Sequence, residues 1–313
     1  MPKVLCWPSS IALCVASVLS LVSGCVRTEN TPAVSSVDQP QGKKAAASAE
    51  AARPAALPTG ALFTDVTLAW GFDLPSQPWP DGQFMTPEIT PGGVAVFDYN
   101  NDGRLDIYQV CHCPPGSFTA AAPNRLWEQQ ADGSFREVPD AAGLADPGFG
   151  HGAAVGDIDN DGDLDVLVTN YGPNALYLNE GGKRFRQITQ DAGIAGDHWS
   201  SSAGFLDYDR DGLLDLYVVN FALFDPDKKC GAGDGPAGRD YCGPHTFDGL
   251  LDTLYHNNGD GTFTDVTMQA GINLPARGWG LACADITGDG WCDVYLANDE
   301  EPAQLWVNQQ DGT

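Results

Sequence analysis

Four short acidic segments have the residue types and the spacing of a metal-binding loop. Each follows the pattern D-x-[DNT]-x-D-G-x-x-D, and the loops begin at Asp98, Asp157, Asp207 and Asp285. Positions 1, 3, 5 and 9 place oxygen-bearing side chains around a tight turn, and the glycine at position 6 lets the backbone reverse. Hard oxygen ligands in this number suit calcium, because magnesium needs stricter octahedral geometry and soft metals need thiolate or imidazole.

The predicted calcium ligands are the side chains at positions 1, 3, 5 and 9. They are Asp98, Asn100, Asp102 and Asp106; Asp157, Asp159, Asp161 and Asp165; Asp207, Asp209, Asp211 and Asp215; and Asp285, Thr287, Asp289 and Asp293. The second and third loops carry four aspartates each, and the fourth has threonine at position 3, so we expect the fourth to bind most weakly. The alternative is a set of Asp-Gly turns without metal, in which clustered carboxylates would repel one another.

The acidic loops belong to a repeat of about fifty residues or more. Apolar, strand-forming residues precede and follow each loop, whereas an EF-hand loop continues into a helix. A second element follows: an apolar run, a glycine-containing turn and, in the first three copies, a run led by phenylalanine, which is typical of a hairpin. Four short antiparallel strands of this size make one propeller blade. The sequence therefore predicts an all-β chain, a β-propeller or partial propeller of four-stranded antiparallel blades with four blades represented.

The first sixty residues are predicted to be an export signal and a tether. Residues 1–24 contain a positive start and a twelve-residue apolar run, which is too short to span a membrane. The run ends in Val22-Ser23-Gly24-Cys25, which resembles a bacterial lipobox, so Cys25 is the predicted lipidation site; an ordinary signal peptide with a chance cysteine is the alternative. Residues 25–60 are rich in Ala, Pro and Ser and are interpreted as a disordered linker. The resemblance implies lipid anchoring in the bacterial cell envelope, at the outer membrane or cell surface.

Six cysteines follow Cys25, and an exported protein can keep disulfides. Cys230 and Cys242 lie in one Gly/Pro/Asp-rich insertion, residues 222–250, and we predict that they are bonded. Cys283 and Cys292 flank one turn, and their pairing is left open. The run Cys111-His112-Cys113 favours a long-range disulfide, a free thiol or packing over a soft-metal site.

The charge balance restricts the classes of partner. There are 16 Lys and Arg against 42 Asp and Glu, a net charge of −26. Nucleic-acid binding needs basic patches, and an anionic membrane surface would repel this chain. We therefore expect no nucleic-acid partner, and contact with a membrane only through the N-terminal lipid.

The repeat is identified as a member of the FG-GAP/VCBS family over about residues 61–313. The resemblance rests on two motifs, G-x-A-x-x-D-x-[DN]-x-D-G-x-x-D and, after it, L-[YW]-x-N-x-G-D-G-x-F-x-D-V-T-x-x-A-G. The insertion is similar to that of bacterial cartilage-acidic-protein-like chains with ASPIC/UnbV ends. The family implies a calcium-binding propeller related to the integrin α-subunit head, usually with about seven blades. The fourth copy stops before its phenylalanine, which we interpret as C-terminal truncation. The alternative is a ring of four blades in which Leu62–Thr67 completes the last blade.

Two function classes remain open. The resemblance implies an adhesion or ligand-binding module whose partner is an unknown extracellular protein or glycan. The alternative is a polysaccharide-active enzyme or lectin, for which His151 and His198 are the candidate catalytic histidines, although no hydrolase motif is present. The insertion residues that could contact a ligand are Arg239, Tyr241, His245 and Phe247. Trp199 and Trp279 could line a central channel, but core packing is the favoured role for both.

Overall fold

The computed structural model describes residues 63–72, 84–90, 92–111, 123–194, 196–231 and 238–311. The predicted signal peptide, Cys25 and the linker to residue 60 lie outside the described residues. In the described part of the chain the regular structure is strands, apart from three short 3-10 turns, and no helix there is long and apolar enough to cross a membrane. The turns are Thr86–Ile89, Pro139–Gly143 and Pro244–Thr246.

The strands form the four predicted repeats, each with its acidic loop between the first and second strand. The first blade is β1 (Val94–Phe97), β2 (Asp106–Gln109), β3 (Arg125–Gln129) and β4 (Phe135–Glu137). The second is β5 (Phe149–Gly156), β6 (Asp165–Gly172), β7 (Ala175–Asn179) and β8 (Phe185–Gln187). The third is β9 (His198–Leu206), β10 (Asp215–Asn220), β13 (Thr253–Asn257) and β14 (Phe263–Asp265). The fourth has three described strands, β15 (Gly278–Ala284), β16 (Asp293–Asn298) and β17 (Gln304–Trp306).

All strand pairs within the blades are antiparallel and follow sequence order, so the predicted all-β, partial-propeller class is confirmed. The second and third blades are also joined by hydrogen bonds between β6 and β9. Tyr171 is opposite Trp199 and Gly172 is opposite His198 at the ends of these two longer strands. The two blades therefore share one continuous sheet.

The core lies between consecutive blades rather than within one. Phe97 and Tyr108 of the first blade pack in one buried cluster with Val166 and Tyr177 of the second. Equivalent clusters join the second blade to the third and the third to the fourth. Apolar burial of this kind stabilises by about 1.5–3 kcal/mol per large side chain. Each blade therefore depends on its neighbour for a core.

Glycines are required where the inner strands of two blades approach each other. A Cβ atom on Gly93 would lie 2.8 Å from the Cα of Gly152 and 2.8 Å from the carbonyl oxygen of His151. Both are backbone atoms and cannot move aside as a side chain could. The small residues before each acidic loop thus set the spacing of the blades.

Residues 63–72 pack against the first blade. Phe63 is 95% exposed, and the rings of Trp70 and Phe72 lie 6.3 and 4.8 Å from that of Phe135. The Phe135 N–H donates to the carbonyl of Trp70 at 2.7 Å, as that of Phe263 donates to Ala192 at 2.8 Å between the second and third blades. No described residue of Leu62–Thr67 pairs with β17, so the four-bladed ring closed by that segment is wrong for this structure.

Residues 222–250 form the predicted insertion. It contains the two-residue strands β11 (Cys230–Gly231) and β12 (Arg239–Asp240), which pair antiparallel. Cys230 is bonded to Cys242, as predicted. Cys242 and Phe247 are buried with Trp199 and Phe221, so the disulfide pins the insertion onto the third blade.

Candidate functional site

The four acidic loops adopt one conformation. The carboxylate at position 1 accepts backbone N–H groups from positions 5 and 6 in the first, second and fourth loops, and from position 6 in the third. Asp157, for example, accepts from Asp161 at 3.1 Å and from Gly162 at 3.0 Å. The glycine at position 6 has φ between +83° and +93° in every loop, a left-handed conformation in which a Cβ is unfavourable. The carboxylate at position 5 accepts the N–H of position 7 in each loop as well. Side chain and backbone together fold the carboxylates inward.

The aspartate at position 9 connects each loop to the third strand of its blade. Its side chain is at most 1% exposed in all four copies. One oxygen of Asp165 accepts the N–H of Ile158 at 2.9 Å, and the other accepts that of Asn179, at the end of β7, at 2.8 Å. The other three copies repeat both bonds. The sequence identified these aspartates as predicted ligands but not as the anchors of the loop.

Burial makes the position-9 carboxylates of the first three loops hard to ionise in the absence of a cation. Desolvation raises the pKa of Asp106 to about 6, of Asp165 to about 7 and of Asp215 to about 6, although backbone N–H groups oppose the shift. Burial, and then the charge of Asp161, raises the pKa of Asp159. A bound cation would favour the charged forms.

The second and third loops differ from the first and fourth in whether a side chain donates to the carboxylate at position 5. In the first loop the guanidinium of Arg104 pairs with Asp102, and in the fourth the amide of Gln310 donates to Asp289 at 2.9 Å. Carboxylate oxygens lie within 4.8 Å of one another in the second loop, from Asp157, Asp159 and Asp165, and in the third, from Asp207, Asp209 and Asp211. These two clusters have the all-oxygen donor set that calcium prefers.

Each loop also contacts the next one. Position 4 is left-handed in all four loops. In the first three loops its side chain reaches the following loop: Asn101 donates to Asp163, and Asn160 donates to the carbonyl of Gly212 at 3.1 Å. The guanidinium of Arg210 lies 5.3 Å from the centre of the Trp291 ring. The four loops form one continuous row.

A second set of contacts fixes that row. The asparagine at the end of the third strand donates to the carbonyl at position 2 of the preceding loop. The distances are 3.0 Å for Asn179 to Tyr99, 2.8 Å for Asn257 to Ile158 and 2.7 Å for Asn308 to Tyr208. The L-[YW]-x-N motif was the sequence signal, but its partner belongs to another blade and could not be read from spacing.

A histidine that was not singled out from the sequence lies beside the third loop. Nδ1 of His256, on β13, lies 3.3 Å from Asp209 and 3.3 Å from Asp215. The only signal was its place in the repeat, directly before the asparagine of the third strand.

The candidate catalytic histidines lie in different surroundings. His151 is buried, with Nδ1 3.0 Å from the Thr90 hydroxyl and its ring against Phe149 and Trp199. His198 is exposed and lines an open cavity of about 610 Å³. That cavity also contains Asp252, whose carboxylate accepts hydrogen bonds from Tyr217 and Asn220.

The aromatic candidates are mainly part of the core. Trp199 is 2% and Phe247 4% exposed, in one cluster under the insertion. Trp199 therefore packs in the core, the role favoured from the sequence, and Phe247 of the insertion is buried there as well. Trp279 is half-buried against that cluster.

The remaining insertion residues lie nearer the surface. Tyr241 stacks on Phe84 with ring centres 5.3 Å apart, the Arg239 guanidinium lies 5.4 Å from the same ring, and His245 pairs with Glu300 at 2.9 Å.

Three further cysteines lie in the described part of the chain: Cys111, Cys283 and Cys292. Cys283 and Cys292 remain thiols, and a hydrogen bond with Cys283 lowers the pKa of Cys292. The N–H of Cys111 donates to Asn124 at 2.6 Å. His112 and Cys113 lie outside the described residues.

Comparisons with known proteins match the repeats. The model of the FG-GAP-like repeat matches residues 116–168, 157–218 and 242–296, just over half of the chain. Cartilage acidic protein 1 of Homo sapiens is 42% identical over 55 residues, and that of Mus musculus 40% identical over 55 residues. The match covers 17% of this chain and 8% of each of those proteins.

A solved structure of an Agrocybe aegerita lectin, described as recognising non-reducing terminal N-acetylglucosamine, aligns with a TM-score of 0.34 and 20% identity. The alignment covers 70% of this chain and 52% of the lectin. The repeated strand order and acidic loops agree with the family match, and the chain belongs to the FG-GAP-like repeat family.

Proposed function

We propose that this chain is a calcium-stabilised β-propeller module that binds an extracellular ligand. The observation that supports it most is the repetition of one acidic-loop geometry in four blades, with two loops in which oxygens of three carboxylates lie within 4.8 Å of one another. Clustered carboxylates repel each other unless a cation neutralises them.

The second and third loops are the proposed principal cation sites. Asp157, Asp159, Asp161 and Asp165 would hold calcium, and Asp207, Asp209, Asp211 and Asp215 would hold calcium where no metal of higher affinity competes for that loop, while the first and fourth loops bind more weakly. Bound calcium supplies positive charge that cross-links the carboxylates of a loop. The chain's own part is to hold the first and ninth positions by backbone N–H groups, so that the row of loops is set before the ion binds.

The ligand-binding surface is proposed to include the insertion and the cavity beside it. The insertion is held by its disulfide and presents Arg239, Tyr241 and His245. The cavity of about 610 Å³ at His198 is bordered by residues 249–253. Both are formed by connections between strands, the usual place for recognition on a rigid β scaffold. The proposed partner is an extracellular protein or a glycan.

We further propose that the chain is exported and lipid-anchored at Cys25, as a cell-surface adhesion module. This rests on the lipobox-like segment and on the disulfide, which suits an oxidising compartment. Radiolabelled palmitate incorporated into the chain and lost in Cys25→Ser is the expected result, and unlabelled wild-type chain would contradict it.

Thermal unfolding of the purified full chain tests calcium binding. An ion that binds only the folded state at a hundredfold excess over its Kd stabilises by about 2.7 kcal/mol per site. We expect the melting temperature to rise strongly with calcium and little with magnesium, and to fall again with a chelator. A folded chain that is indifferent to calcium would overturn the proposal.

A further inference from the structure

We propose that the third acidic loop is a mixed nitrogen–oxygen site that binds a transition-metal ion of the zinc class through His256, in preference to calcium. The inference rests on the proposed function only in taking this loop as a cation site.

Three donor atoms from different parts of the blade meet at this place. Nδ1 of His256 lies 3.3 Å from an oxygen of Asp209 and 3.3 Å from one of Asp215, and the three atoms lie within 4.8 Å of one another. Two atoms 3.3 Å apart subtend an angle of about 104° at an ion about 2.1 Å from each, which is the usual zinc–ligand distance for nitrogen and oxygen. This angle is close to that of tetrahedral coordination.

The ring nitrogen has no other use among the described residues. Nδ1 of His256 is inaccessible to solvent, and although it is within ion-pair distance of both carboxylates, no hydrogen bond of acceptable geometry reaches it there. A buried nitrogen of this kind is costly unless it finds a partner. A metal ion between it and the two carboxylates would satisfy all three groups.

The surroundings hold the donors in place. Asp215 is fully buried, and its two oxygens each accept one backbone N–H, from Tyr208 and Asn257, which leaves lone pairs for an ion. The ring of Tyr208 meets the imidazole edge-on, with centres 6.1 Å apart and planes at 81°. The site is therefore preorganised by the same contacts that build the loop.

The imidazole is specific to this blade. The equivalent residue on the third strand is Glu128, Leu178 or Val307 in the other three blades. Strand register confirms the first two correspondences: Leu178 is opposite Arg186 and Glu128 opposite Arg136, as His256 is opposite Thr264. Imidazole is a good ligand for zinc, whereas calcium selects oxygen. One loop in the row thus has a donor set different from the others.

Metal competition on the full chain tests this inference. The chain is stripped with a chelator and dialysed against micromolar zinc chloride in millimolar calcium chloride, and both metals are then measured by elemental analysis. We expect one zinc ion per chain in the wild type. Loss even of an outer-shell partner costs 10–100-fold in metal affinity, so His256→Leu should weaken zinc binding by about 100-fold or more. Calcium at the second loop should be unchanged.

Two matched variants sharpen the result. Leu178→His places an imidazole at the same register beside Asp159 and Asp165, and should add a second zinc ion. His198→Leu removes an exposed histidine elsewhere and should leave zinc binding as it is. If His256→Leu fails to fold, electron paramagnetic resonance of the wild type with one equivalent of copper(II) replaces it, and we expect coupling to a ring nitrogen.

The outcomes separate this inference from the proposed function. Equal zinc binding by wild type and His256→Leu, or copper bound by oxygen alone, would overturn it. Calcium binding without zinc binding would overturn it and leave the proposed function intact. Zinc lost with His256 in a chain that binds no calcium would support the inference and contradict the proposed function.

Discussion

The hydroxyl of Tyr217 donates a hydrogen bond to the carboxylate of Asp252 at 3.1 Å. In the first blade the position equivalent to Asp252 is an asparagine. There Asn124 donates to the hydroxyl of Tyr108 at 2.8 Å and accepts the N–H of Cys111. Asp252 likewise accepts the N–H of Asn220 at 2.9 Å. An aspartate and an asparagine therefore do the same structural work in two blades, but only the aspartate carries a titratable group into the core.

Asp252→Asn should stabilise the chain at neutral and higher pH. Burial raises the pKa of Asp252 to about 7, from an ordinary 3.8. Between these values the folded state holds a proton that the unfolded state releases, so the contribution of Asp252 to stability falls as pH rises from about 4 to about 7. We expect the free energy of unfolding of Asp252→Asn to exceed that of the wild type by on the order of 2 kcal/mol at pH 8, and by little at pH 4. Urea unfolding at both pH values measures this, and an equal difference at both would contradict it.

Loss of the first aspartate should matter more in the second loop than in the fourth. Asp157→Ala should remove about 3 kcal/mol of calcium-dependent stabilisation at a hundredfold excess of calcium over its Kd, and Asp285→Ala should remove less. The reason is that Gln310 already donates to Asp289 in the fourth loop, which also has threonine at position 3. Melting temperatures with calcium and with chelator give the comparison.

The control for the loop variants is Asp132→Ala. Asp132 is an acid in the turn between β3 and β4, where it accepts hydrogen bonds from Ser134. The Asp132→Ala variant should leave the calcium response of the melting temperature unchanged. Equal losses for Asp157→Ala and Asp285→Ala would contradict the ranking of the loops.

Reduction of the Cys230–Cys242 disulfide should loosen the insertion while the blades remain folded. The two residues are 12 apart in sequence, and closing a loop of this size stabilises by about 3 kcal/mol in the chain-entropy model. We expect the double variant Cys230→Ser/Cys242→Ser to be cleaved by protease within residues 222–250 at least tenfold faster. Cys283→Ser/Cys292→Ser is the matched control because no disulfide joins that pair. Equal cleavage rates for the two double variants would contradict the prediction.

Arg277 should stabilise the junction between the insertion and the fourth blade. Its guanidinium donates to the carbonyl of Phe247 at 2.9 and 2.6 Å and pairs with Glu301, and its side chain is 11% exposed. Arg277→Ala should cost about 1–3 kcal/mol in the free energy of unfolding, as expected for a charged hydrogen-bond donor lost from a buried site. Arg277→Lys should recover only part of this, because one ammonium cannot replace the forked donor. Denaturant unfolding of the three proteins measures both effects, and full recovery by lysine would contradict the stated geometry.

Repetition made the fold and the loops predictable from sequence. Alternating apolar runs and glycine turns recur around Asp98, Asp157, Asp207 and Asp285, and these are local patterns in which each strand and turn is specified by its own residues. The Cys230–Cys242 pair was predictable for a similar reason, because both residues lie in one short insertion.

The contacts between blades were decided only by tertiary structure. Asn257 bonds to Ile158, and His256 meets Asp209 and Asp215, across separations that no local pattern encodes. The sequence placed Phe247 among the insertion residues that could contact a ligand, whereas packing buries it in the cluster that contains Trp199. A residue's type and spacing determine its strand and turn, but its partners depend on which blade faces it. That choice is made by burial of apolar surface between blades, which acts between residues far apart in the chain.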